Sequence, residues 1–195
     1  VTGTLDGGEG ANILDFTGYG TNVAINLANM NVSAGDQVIL SKFANIQKLI
    51  GSSLADINDT VTGPNRDTLF SITGENLGTI SWTSAANPAV TITMTFESIE
   101  NLMGGTGSDT FKVIGTGSIR GTMTGGGGAN TLDYSEFDKG DSSGVNVDLS
   151  LGTATAFGTG AEKAIDKIQT LISSGFNDSF IGHQTENNTF IFIDG

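Results

Sequence analysis

The 195-residue chain has no cysteine, two prolines, one histidine and one tryptophan, and only eight basic residues against twenty-one acidic ones. The missing thiols exclude disulfides, thiolate metal sites and cysteine nucleophiles, and leave the compartment open. A net charge of −13 excludes the concentrated positive patch that nucleic acid or an anionic membrane surface requires, so small cations are the more natural partners. No apolar run approaches the roughly 20 residues of a membrane-spanning helix. Charged residues make up 15% of the chain, well below the usual quarter, and polarity comes from Thr, Ser, Asn and 29 glycines instead. The 37% of apolar residues fall in regularly spaced β-branched and aromatic clusters, which argues for a folded, β-rich chain over a disordered one. The chain opens Val1-Thr2-Gly3 without an initiator methionine or a signal peptide, as a processed product or a segment of something longer would.

Internal repetition is the strongest signal. VTGTLDGGEGANILDF at 1–16 aligns without gaps on IRGTMTGGGGANTLDY at 119–134. The match continues through Val23/Ile25/Leu27 on Val145/Val147/Leu149, Asn58-Asp59 on Asn177-Asp178, and Asp67-Thr68-Leu69 on Asn188-Thr189-Phe190. The organisation expected is therefore a first module at 1–118 and a second, incomplete one at 119–195, joined in one continuous body. A shorter pattern recurs inside it: Phe43-x-x-Ile46-x-x-Leu49, Phe96-x-x-Ile99-x-x-Leu102 and Ile165-x-x-Ile168-x-x-Leu171. Period-two alternation at Val23–Leu27, Ile80/Trp82, Val90–Phe96 and Val145–Leu149 predicts strands with one buried face. One stretch, 160–172, is compatible with a helix, but its apolar spacing repeats where composition is not helical.

Short strands, glycine-rich turns and self-similarity predict an all-β fold, a parallel β-helix or β-solenoid of stacked coils, with a β-sandwich as the alternative. Coils of about 20–25 residues would give eight to ten of them, and a rod of about 40–50 Å at about 4.8 Å per strand.

Residues 104–112, GGTGSDTFK, match the nonapeptide G-G-x-G-x-D-x-U-x at every specified position. Glycines there permit tight turns, backbone carbonyls supply hard oxygens, and the aspartate supplies charge, which together suit calcium. Asp109, Gly105 and Gly107 are the first candidates for that ion, and Asp178 in SSGFNDSFI (173–181) is the next. GGEGANILD (7–15) and GGGGANTLD (125–133) place Asn12 and Asn130 where the acid belongs. The competing reading is structural: an Asn or Asp at such a turn bonds backbone groups that would otherwise go unpaired.

The strings Phe96–Phe111, Gly125–Ser135 and Val145–Ala156 resemble the degenerate haemolysin-type (repeats-in-toxin) segments of very large secreted bacterial adhesins. That resemblance implies an extracellular β-solenoid with an adhesin-like or filament-forming role, and calcium in its turns. Here the nonapeptides stand isolated and two carry Asn, which departs from the tandem arrangement of that family.

Catalysis finds little support. Asp133, Asp138, Asp141 and Asp148 form no recognisable carboxylate pair, and Arg66 and Arg120 have no acidic constellation beside them. His183 reads as a surface residue and Trp82 as core, and Gly125–Gly128 lacks the Lys-Ser/Thr of a phosphate loop. The function expected is a non-enzymatic structural module of an adhesin stalk or filament. Its expected partner is another copy stacked end to end, or further repeats of a longer chain. The repeat-breaking loop at 136–144 is one place where binding would be sought.

Overall fold

The structure, a computed structural model, describes residues 3–54, 57–158 and 163–194. Val1, Gly195 and residues 160–162, on which the module phase and the helix-compatible stretch partly rest, lie outside them. The described residues are all-β, with twenty strands and no helix. Residues 165–166 and 170–172, inside the helix-compatible stretch, are strands.

Two large mixed sheets carry most of the chain. In the first, the strands run in spatial order Gly3–Asp6, Gln37–Ala44, Asn31–Ala34, Val23–Asn26, Thr60–Thr62, Asn101–Met103, Met123–Thr124 and Ile165–Asp166. In the second, the order is Ile13–Asp15, Lys48–Ile50, Thr91–Glu97, Leu77–Thr83, Thr68–Gly74, Thr110–Gly115, Thr131–Phe137, Thr170–Ile172 and Thr189–Ile191. A third, smaller sheet pairs Asn146–Asp148 with Thr153–Ala154 and, in parallel, with Ser179–Ile181.

Each large sheet contains one antiparallel meander, Val23–Ala44 in the first and Thr68–Glu97 in the second. Beyond the meanders pairing is parallel: from Val23–Asn26 to Ile165–Asp166 in one sheet and from Thr68–Gly74 to Thr189–Ile191 in the other. Both ladders pair strands from before residue 118 with strands after it, Asn101–Met103 with Met123–Thr124 and Thr110–Gly115 with Thr131–Phe137, so the two sequence modules share both sheets.

The parallel register aligns like residues into columns. Ile25, Val61, Leu102, Met123 and Ile165 form one buried column, and Phe70, Phe111, Leu132 and Leu171 form another. The Phe70 and Phe111 rings lie 4.6 Å apart with planes 9° from parallel, a stacked pair. The triplet Phe-x-x-Ile-x-x-Leu marks strand, corner and strand. Phe43, Ile46 and Leu49 are all buried, and the chain bends through a left-handed residue at Asn45, as it does at Ser98 and Lys167 in the equivalent corners.

Two expectations need correcting in detail. Alternation at 90–96 is core-facing only from Met94, since Val90 and Ile92 remain substantially exposed at the end of the meander. The loop expected at 136–144 begins later, because the strand Thr131–Phe137 extends over its first two residues and leaves Phe137 buried.

Phe111→Ala is expected to lower unfolding free energy by about 3–5 kcal/mol in a urea titration, because it opens a void in a fully packed column. Ile13→Ala, at a position 55% exposed, is expected to change it by less than about 0.5 kcal/mol.

Candidate functional site: the stacked turns

The turn at 104–109 links the two large sheets and lies between two others, 63–67 and 125–130. Gly127 N donates to Gly105 O at 2.9 Å, and Ser108 N donates to Asp67 Oδ1 at 2.8 Å, so adjacent turns bond directly to one another. The contact leaves no room for a β-carbon. One on Gly105 would collide with the carbonyl of Pro64, and one on Gly107 with the backbone of Arg66 and Asp67. Gly104, Gly105 and Gly107 do not occupy the left-handed region, so close approach, and not an unusual φ, is what demands glycine here.

Asp109 is 1% exposed. Its Oδ2 accepts from Gly105 N at 2.9 Å, and its own amide donates to Asn130 Oδ1 at 2.9 Å. Oδ1 is buried without a hydrogen-bond partner. Burial pushes the carboxyl up to about 6. The Gly105 amide and the nearby Thr68 hydroxyl and amide pull it back, and the charge of Asp67 adds a smaller push upward.

Asp178 belongs to a different arrangement and shares no partner with Asp109. Its Oδ1 accepts from Val145 N at 2.8 Å and from the Ser174 hydroxyl at 2.6 Å, and its Oδ2 accepts from Ser174 N at 3.1 Å. Asp59 does the same in the first module: Oδ1 accepts from Val23 N at 2.7 Å and Oδ2 from Ser52 N. The residues aligned by the repeat are therefore the ones that clamp each loop to the strand or turn beside it.

A third element went unrecognised in the sequence. Glu100 is 3% exposed, accepts from Asp59 N through Oε2 at 2.9 Å and from Asn76 Nδ2 through Oε1 at 3.0 Å. Arg120 Nη2 lies 3.9 Å from that Oε1. Burial raises both carboxyls. Val23 and Ser52 amides pull Asp59 back; at Glu100 the Asp59 amide and Arg120 lower, while the Asp59 charge raises. The available signal was positional, because Glu100 occupies the corner site held elsewhere by Gln47 and Gln169. Their Oε1 atoms accept from Asn12 N at 2.7 Å and Asn130 N at 2.9 Å in the same manner.

These residues fit calcium poorly. Asp109 offers one buried carboxylate, while the Gly127 and Lys167 carbonyls of the next turn are already taken by Asn130 Nδ2 at 2.9 and 3.0 Å. Six to eight oxygens are what the ion takes. Among the described residues no cluster of three or more acidic or histidine side chains is placed to hold a metal.

The remaining candidates are dispersed. Asp138, Asp141 and Asp148 accept from Gly140, Ser143 and Ser150 in their own local turns, and Asp133 accepts from Ser135 N while its other oxygen lies 3.7 Å from Lys112. Hydroxyl donors from Ser143 and Ser150 hold Asp141 and Asp148 below the usual carboxylate range. Trp82 packs into the core and His183 is exposed beside Thr185. Arg66 Nη1 is occupied by the Thr83 carbonyl at 2.9 Å. Arg120 borders a cleft of about 180 Å³ shared with Glu75, Ser118 and Phe157. No protein-family model matches the chain, and no curated protein is significantly similar to it.

Gly105→Ala is expected to destabilise the protein by about 2 kcal/mol or more, since only backbone can yield to the added carbon. Gly18→Ala, where a β-carbon meets nothing within 4 Å, serves as the control and should leave the thermal midpoint nearly unchanged.

Proposed function

We propose that this chain is a non-enzymatic structural module, a β-solenoid whose stacked rungs serve as the stalk or filament of an extracellular adhesin. The carrying observation is the pair of long parallel ladders with their columns of like residues. A ladder of that kind grows by adding rungs, each touching only its neighbours. The recurrence of one clamp, Asp59 in the first module and Asp178 in the second, supports the same reading. The extracellular setting rests on the resemblance of the Phe96–Phe111 and Gly125–Ser135 strings to haemolysin-type adhesin repeats.

The proposed partner is one more rung of the same kind, from a second copy or from further repeats. The strand Thr189–Ile191 ends its sheet with an open edge, and Phe192 beside it is 70% exposed. Asn188 Nδ2 is buried without a partner. In the equivalent turns, Asn12 and Asn130 donate from that atom to the carbonyls of Asn45 at 2.8 Å and Lys167 at 3.0 Å, one rung further along. A stacked rung would present the carbonyl that Asn188 lacks, and an open strand edge is a template for it. At the opposite end, Gly3–Asp6 and Ile13–Asp15 offer the complementary edges for a head-to-tail contact.

Sedimentation velocity and electron microscopy over a concentration series test this, with calcium in one arm and chelator in the other. Rods longer than one chain, shortened by Phe192→Asp, are expected. Monodisperse monomer at every concentration would remove the end-to-end reading, and rods seen only with calcium would tie assembly to the ion.

A further inference from the structure

Four turns place the tip of an Asn or Asp side chain beside a backbone carbonyl oxygen. The space a Gly7 β-carbon would occupy is filled by Asn12 Nδ2 and the Asn45 carbonyl oxygen; at Gly125 the pair is Asn130 Nδ2 and the Lys167 carbonyl oxygen. In both, the amide donates to the carbonyl. At Gly51 the corresponding pair is Asp59 Oδ2 and the Ser98 carbonyl oxygen, and at Gly104 it is Asp109 Oδ2 and the Gly125 carbonyl oxygen. Two acceptor oxygens are thus brought together where two other turns make a hydrogen bond. Unionised, a carboxyl supplies one O–H donor, which an ionised one lacks.

We infer that Asp59 and Asp109 are held as neutral carboxylic acids, each donating its proton to the facing carbonyl of Ser98 or Gly125, as the amides of Asn12 and Asn130 donate to theirs. This goes beyond the stalk or filament reading and does not depend on it. The disagreement between the turn geometry and a calcium site has the same origin: the carbonyl that a cation would need is the one the acid proton occupies.

The surroundings favour the neutral form. Asp59 is fully buried, and the charged groups facing it are Glu100, whose Oε2 takes the Asp59 amide, and Arg120, which lies against the far oxygen of Glu100. Asp109 faces Asp67 from the neighbouring turn, and the 125–130 turn on its other side carries no titratable residue. Asp178 accepts from Val145 N, Ser174 N and the Ser174 hydroxyl, a donor that neither Asp59 nor Asp109 has within its own turn.

The sign of the pH dependence follows from linkage. The folded form of Asp109 releases its proton near 6 and the unfolded form near 3.8, so the native state binds more protons between them. Stability therefore rises as pH falls through 6 and stops gaining below about 3.8, where surface acids held low by local donors, such as Asp141, begin to lose theirs.

Thermal midpoints from pH 7.5 to 4.5 test the inference on wild type, Asp59→Asn and Asp109→Asn, each with chelator and with calcium. Wild type is expected to gain about 2 °C or more on going from pH 7.5 to 5.5. Asp109→Asn, whose Nδ2 cannot accept from Gly105 N, is expected to have a lower midpoint than wild type at pH 7.5 and to lose much of that gain. Carbon-13 titration of the wild-type carboxyls gives a readout independent of any variant, with Asp109 expected to titrate near 6 and not near 4. An unchanged pH slope in both variants, or an Asp109 carbon titrating near 4, would overturn the inference. A midpoint raised by calcium in wild type and not in Asp109→Asn would do so as well, and would assign the site to the cation.

Discussion

The structure depends on one repeated constraint: successive turns meet backbone to backbone, and no carbonyl at that contact can be left without a donor. Parallel strands at about 4.8 Å spacing set how far apart the turns are. With Gly105 under Gly126 and over Pro64, no side chain fits between them. The only atoms that can enter are those of the residue closing the turn, which is Asn12, Asp59, Asp109, Asn130 or Asn188. A buried, unsatisfied peptide group costs about as much as a lost hydrogen bond, so this single position controls whether one turn can pack on the next.

The rest of the architecture follows from that position. Because the closing residue fixes the turn, the apolar residue two places on, Phe111 or Leu132, falls inward, and the ladder carries it into a column. The corners opposite bend through Asn45, Ser98 and Lys167 in the left-handed region, which aims their carbonyls back at the turns. Gln47, Glu100 and Gln169 then receive the amides of the turn residues from the same corners. Core columns and polar columns are two consequences of one register.

Much of this was legible and some of it was not, for identifiable reasons. The period-two runs revealed strands, and the offset of VTGTLDGGEGANILDF on IRGTMTGGGGANTLDY located residues that do occupy equivalent turns. Strand direction was not legible, because Thr68–Glu97 alternates in the same way whether it pairs in parallel or folds back as a meander. The spacing Phe43-x-x-Ile46-x-x-Leu49 was visible as a repeat, but its cause, a left-handed corner residue between two short strands, leaves no compositional mark when that residue is Asn, Ser or Lys in turn. Glu100 escaped notice because it is an acid where the other two corners carry Gln. Aligned on Gln47 and Gln169, it is an acceptor oxygen first.

The same shift of view bears on the acids as a group. With a net charge of −13, most carboxylates of this chain have to remain in water or in small turns of their own, as Asp6, Asp15 and Asp148 do. Asp59 and Asp109 sit instead among backbone atoms with almost no cation near, Arg120 reaching only the far side of Glu100. A charge there would be opposed by burial and by a carbonyl at close range, and no salt bridge offsets it. In its own turns Asn supplies the donor at any pH; Asp, whose Oδ2 also accepts a backbone amide, supplies it only with its proton. The difference between the two residues in these turns is therefore whether the contact between one turn and the next depends on the acidity of the surroundings.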